Sequence, residues 1–167
     1  NSPIPDWVTF IFPHKQEVDS TDPKKIDRLH SDLIEWLGNE IETQGLSIDE
    51  LCNIAHNYFY GLNGVSQDYA KAAKYYRKAA ELGDGDAQMR LGYCYAAGEG
   101  VEKDYTEAVK WFCKSAEQEY SYAQFNMGWA YEFGQGVEKN LAEAKKWYQK
   151  AAAQGHIQAQ EQIKKLS

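Results

Sequence analysis

Gly64-Val65 returns as Gly100-Val101 and again as Gly136-Val137, 36 residues apart each time. The same offset joins Phe59, Tyr95 and Tyr131, then Asp68, Asp104 and Asn140, then Ala72, Ala108 and Ala144. It runs on through Tyr75, Trp111 and Trp147, through Tyr76, Phe112 and Tyr148, through Lys78, Lys114 and Lys150, and through Ala80, Ala116 and Ala152. Ala87, Ala123 and Ala159 open the following units. A period of this length, held in register at so many positions, marks a repeat architecture. Each unit is too small to bury its own apolar face and must stack on its neighbours.

Within a unit the pattern reads as two helices. The first runs from about Ala87 to Ala97, with Leu91 and Tyr95 four apart on one face. Gly98-Glu99-Gly100 breaks it, because glycine relieves the backbone where the chain turns back. Asp104 is placed to cap the second helix, its carboxylate accepting from free amides of the first turn. That helix carries Ala108, Trp111, Phe112, Ser115 and Ala116, so large rings alternate with small residues. Gly92 and Gly128 fall inside the first helices of two units, where each costs roughly 1 kcal/mol relative to alanine. Their recurrence predicts a close helix crossing there.

The third unit shows the full pattern: Ala123, Met127, Gly128, Tyr131, Gly134, Gly136, Val137, Asn140, Ala144, Trp147, Tyr148, Lys150, Ala151 and Ala152. This resembles the Sel1-like repeat family, which is related to the tetratricopeptide repeats, and the resemblance covers about residues 51–167. The first unit departs from it: Ala55-His56 stands for Leu-Gly, and Gly61 arrives one residue early. The last unit, from Ala159 to Leu166, is a single helix, and atypical terminal units are expected where a solenoid meets water. The resemblance implies an all-α, right-handed α/α superhelical solenoid of about three helix-turn-helix repeats with flanking capping helices. It also implies a protein-binding adaptor or scaffold, of a kind common in bacteria.

Residues 1–46 do not repeat, and the array is expected over 47–167. Asp22-Pro23 is a helix start, with Asp as cap and Pro in the first turn. Ile26, Leu29, Leu33, Ile34, Leu37 and Ile41 continue it as an apolar stripe up to Gly45, a helix expected to cover the first repeat. Ser47 to Glu50 is a capping box for the next helix. The β-prone run Trp7 to Phe12, closed by Pro13, has three readings: packed along the first helices, left over from a larger domain, or docked on a partner.

Composition narrows the function. The formal net charge is −7, whereas nucleic-acid binding calls for a basic stripe to replace phosphate counterions. No apolar stretch approaches the ~18–20 residues of a membrane span. Cys52, Cys94 and Cys113 are too few for a disulfide framework. They read as small thiols on helices, with one bridge between two of them left open. The chain starts at Asn1, so a removed leader is compatible with it, and the compartment stays open between cytoplasm and periplasm or outside. His14, His30, His56 and His156 have no ligand spacing, and no zinc pattern of Cys and His pairs is present. The Gly-x-Gly turns follow helices and lack Gly-Lys-Ser/Thr, so they are not phosphate loops. No cofactor, metal or catalytic residue is expected.

The concave surface of such a solenoid is lined by the first helix of each repeat. Positions alike in kind across repeats should face the neighbouring helix, and those that vary should face the groove. The candidate partner-binding residues are therefore Asn57 and Tyr60 in the first unit, Met89 and Tyr93 in the second, and Tyr122, Phe125, Trp129, Glu132 and Phe133 in the third. Phe125, Trp129 and Phe133 are spaced four apart on one helix face. Their rings suit an anchor site for a peptide or protein, or else pack under the terminal helix around Ile163 and Leu166. A monomer is favoured. A specific inhibitor or immunity protein is the narrower alternative. An envelope-related enzyme is the alternative of another class, disfavoured because the paired cysteines of the family's cysteine-rich members are missing here.

Overall fold

The computed structural model describes Thr43 and residues 45–166. The chain divides into the units Asn1–Gln44 and Gly45–Ser167, and the account here is of the second. The expected helix from Asp22 and the Trp7–Phe12 run lie outside the described residues. Among the described residues there are seven helices and no strand: α1 (Ile48–Tyr60), α2 (Tyr69–Glu81), α3 (Gly85–Ala97), α4 (Tyr105–Glu117), α5 (Ser121–Phe133), α6 (Leu141–Ala153) and α7 (Ile157–Lys165). Each packs on the helix before and the helix after it, which is the all-α repeat solenoid.

The helix ends are where the local chemistry puts them. Ser47 and Glu50 form the reciprocal capping box of α1, each side chain bonding the other's amide. Asp68, Asp84, Asp104 and Asn140 cap α2, α3, α4 and α6 through side-chain oxygens. Gly61, Gly98 and Gly134 close α1, α3 and α5 in the left-handed region that glycine reaches without strain. The second glycine of two later turns has a different cause. A Cβ on Gly100 would collide with the Tyr69 carbonyl, and one on Gly136 with the Tyr105 carbonyl. The turns of the second and third repeats thus lie directly on the start of the second helix one repeat before.

Gly92 and Gly128 mark close crossings, as their recurrence predicts. A Cβ on Gly92 would stand 2.6 Å from the Phe112 ring, and one on Gly128 2.6 Å from the Tyr148 ring. The core is built around such pairs in three successive clusters, centred on Tyr76 and Leu91, on Phe112 and Met127, and on Tyr148. Fully burying a side chain such as Leu91 contributes roughly 1.5–3 kcal/mol. The lysines three residues after Trp111 and Trp147 also have a reason. Lys114 Nζ lies 4.1 Å over Trp111, and Lys150 Nζ 4.1 Å over Trp147, both cation–π contacts.

Two features depart from the sequence reading. In the second and third repeats, the cap residue of the second helix donates its amide to a tyrosine carbonyl, Asp104 to Tyr95 and Asn140 to Tyr131; in the first repeat Asp68 donates to Tyr58. Tyr58, not Phe59, is therefore the partner of Tyr95 and Tyr131. The whole of α1 sits one residue early, so Ile54-Ala55 occupies the place of Leu91-Gly92, with Ala55 fully buried. The extra residue is taken up by the turn after Gly61, where Asn63 adopts a positive φ of 53°. Second, glutamines stitch the repeats together. Gln88 donates to the Ala80 carbonyl and accepts from Gln118; Gln124 donates to the Ala116 carbonyl and accepts from Gln154. Gln88, Gln124 and Gln160 share the 36-residue period, but a polar type does not announce a buried role.

Candidate peptide-binding groove

The register of α1 decides which side chains form the inner stripe. Met89, Tyr93 and Ala97 in α3 correspond to Phe125, Trp129 and Phe133 in α5, and, with α1 one residue early, to Cys52, His56 and Tyr60. The rings of His56 and Tyr60 are 4.6 Å apart, just as those of Trp129 and Phe133 are 5.1 Å apart. Asn57 is engaged within its own turn. Its side chain accepts from Asn63 Nδ2 at 2.9 Å within the turn, and His56 takes the equivalent of the Tyr93 position. The early arrival of Gly61 was the available signal.

Between α3, α4 and α5 lies a cleft of about 290 Å³. Tyr93, Phe125 and Trp129 line it, together with Tyr105 and Phe112 from α4 and the side chains of Asn126 and Gln135. Sequence reasoning did not find the α4 wall, because Phe112 belongs to the repeating core and Tyr105 is the first residue of its helix. Trp129 spans cleft and rim, with Tyr105 on one side at 6.4 Å and Phe133, 51% exposed, beyond it.

The other candidates fall elsewhere. Met89 packs against the core cluster of Phe112 and Met127. Phe125 faces two ways: it lines the cleft, and it stacks on His156 at 4.7 Å and lies 5.5 Å from Tyr148. It shares the last core cluster with Ile163 and Leu166, so the expectation of packing under the terminal helix describes it in part. Tyr122, 63% exposed, leans edge-on against His156. Glu132 accepts from the Tyr148 hydroxyl at 2.6 Å, so one carboxylate oxygen is already engaged.

Burial, reinforced by that hydrogen bond, pushes the Tyr148 phenol upward. The Tyr93 phenol is raised chiefly by the Glu99 carboxylate and then by burial. Burial pushes the Cys94 thiol up to about 12 and, with Asp84 beside it, the Cys52 thiol up to about 11. All three cysteines are free thiols. No group of His, Cys, Asp and Glu able to hold a metal occurs among the described residues, and no described helix is long and apolar enough to cross a membrane.

Helical hairpins stacked each on the next define an α-solenoid repeat protein. Residues 51–84, 85–120 and 121–156 each match the Sel1 repeat, and the chain belongs to that family. Sel1 and tetratricopeptide-like repeats generally mediate protein–protein interaction. No curated protein sequence matches. Among solved structures, a protective antigen of uropathogenic Escherichia coli displaying an SLR fold is 41% identical with a TM-score of 0.68, over 70% of this chain and 25% of that one. A Sel1 repeat protein from Oxalobacter formigenes is 41% identical with a TM-score of 0.67, over 70% and 47%. Helicobacter pylori cysteine rich protein B is 28% identical with a TM-score of 0.55, over 69% and 96%. The chain thus spans about a quarter and about half the length of the first two.

Proposed function

We propose that this chain is a non-catalytic adaptor that holds a segment of another protein in its groove, with the cleft between α3, α4 and α5 as the anchor point. The observation that carries this reading is the cleft itself: Tyr93, Trp129 and Phe125 meet the α4 rings around a hollow of about 290 Å³. Rings that are partly open to solvent and backed by the packed core suit hot-spot contacts, which favour Trp and Tyr. Burying one more apolar side chain there contributes about 1.5–3 kcal/mol to a complex.

Trp129→Ala tests it. The variant and the unaltered chain are used to capture partners from the native organism, beside a Lys114→Ala control on the second-helix surface. The expected result is that a partner retained by the unaltered chain and by the control is lost by Trp129→Ala, with little change in melting temperature. A large fall in melting temperature with unchanged capture would overturn the reading.

A further inference from the structure

At the α1–α3 end of the groove four tyrosines gather on one phenylalanine. Phe59 has its ring centre 4.9 Å from Tyr60, 5.1 Å from Tyr69, 6.2 Å from the buried Tyr76 and 6.4 Å from Tyr93. Tyr60 and Tyr93 are each about half exposed, at 50% and 48%, so part of each ring is within reach of a ligand. Glu99, in the turn after α3, acts on the same Tyr93 phenol. Its Oε2 is buried and has no hydrogen-bond partner, and none of the ion pairs among the described residues includes it. The nearby cations are already engaged, and neither reaches Glu99 in an ion pair: Arg90 pairs with Asp86 at 2.6 Å, bonds the Tyr60 hydroxyl and lies over the Tyr76 ring, and Lys103 lies over the Tyr105 ring at 4.8 Å.

The same turn position one repeat on is Gln135, whose Oε1 is likewise buried and without a partner and which lines the apolar cleft. An acceptor left unpaired when buried costs about 1–3 kcal/mol, and a donor brought by a ligand recovers it. Two successive turns therefore offer acceptors that lack donors. The first is a carboxylate beside half-exposed tyrosine rings, the surroundings that attract a cation. The second is a neutral amide beside an apolar hollow. Tyr93 is the wall they share.

We propose that the groove reads a peptide segment in which a lysine or arginine neighbours a bulky apolar residue, the cationic group seated among Tyr60, Tyr69 and Tyr93 against Glu99 and the apolar one in the cleft beside Phe125 and Trp129. This rests on the groove being a protein-binding surface and adds the chemistry of what it selects. The charge fits: the chain carries a formal net −7, which steers a basic segment toward it.

The test uses nine-residue Ala/Ser peptides, each with one Leu and, one to four residues away, one Arg, Gln or Glu, titrated against the full chain by fluorescence polarisation. At the best spacing the Arg peptide should bind about tenfold more tightly than the Gln peptide, the Glu peptide more weakly still, and the Arg preference should shrink with added salt. Glu99→Gln, which copies the residue the next repeat carries at this place, should bring Arg and Gln peptides together while the melting temperature holds. Trp129→Ala should weaken all three peptides alike. Equal binding of Arg and Gln peptides, an Arg preference that survives Glu99→Gln, or no binding by any peptide overturns the inference. In the first two cases a signal that is lost both when the Leu is replaced by Ala and in Trp129→Ala would leave the groove reading standing.

Discussion

The Tyr148 ring lies so close over Gly128 that a Cβ there would stand 2.6 Å from it. The ring has nowhere to go: it is fully buried, and its hydroxyl is held by Glu132. Gly128→Ala should therefore destabilise the chain by about 1–3 kcal/mol through overpacking, although alanine is the better helix former by roughly 1 kcal/mol. Urea unfolding measures it. A stability gain would show that the crossing is looser than the structure has it.

Gln124 is nearly fully buried and bridges two elements, donating to the Ala116 carbonyl and accepting from Gln154. Gln124→Leu keeps the volume and removes both bonds. The stranded carbonyl and amide should cost about 1–3 kcal/mol. Amide exchange should quicken at the α4–α5 junction before it does at α1. A uniform loss across the array would argue against a local clasp.

His156 caps α7 by accepting the Ala159 amide at Nδ1, which requires the neutral ring. The rings of Tyr122 and Phe125 enclose it, and burial lowers its pKa below the ordinary histidine value. The folded state thus binds the proton less readily than the unfolded chain. The stability it supplies is complete above the unfolded pKa of about 6.5 and is lost as pH falls below it through the folded value. Melting followed from pH 7.5 to 5 should show α7 loosening, and His156→Asn, a cap that does not titrate, should flatten that part of the profile. An unchanged slope in the variant would assign the effect to other groups.

The three thiols should separate by access. Cys94 is fully buried and its pKa is pushed up to about 12, so little thiolate forms and little reagent reaches it. Iodoacetamide at pH 8 should label Cys52 and Cys113 first and Cys94 only after unfolding, as peptide mass mapping would show. Native labelling of Cys94 at the rate of Cys113 would mean that α3 opens readily.

The 36-residue period, the glycine-closed turns, the caps at Asp104 and Ser47 and the two helices per unit were all legible in the chain, because each rests on interactions a few residues apart. The close crossings at Gly92 and Gly128 were legible too, since a costly residue repeated inside a helix implies a neighbour that needs the space. The register of the first repeat was not. Gly61 announced the one-residue shift, but whether the helix or the turn absorbed it depended on Asp68 bonding to Tyr58 across the hairpin. That choice put His56 rather than Asn57 on the inner stripe. The α4 wall of the cleft, the double duty of Phe125, the glutamine clasps and the unpaired oxygens of Glu99 and Gln135 were likewise decided in three dimensions. Each depends on which groups lie opposite one another once the repeats stack, and a single chain read residue by residue carries its own periodicity but not the distances between its turns.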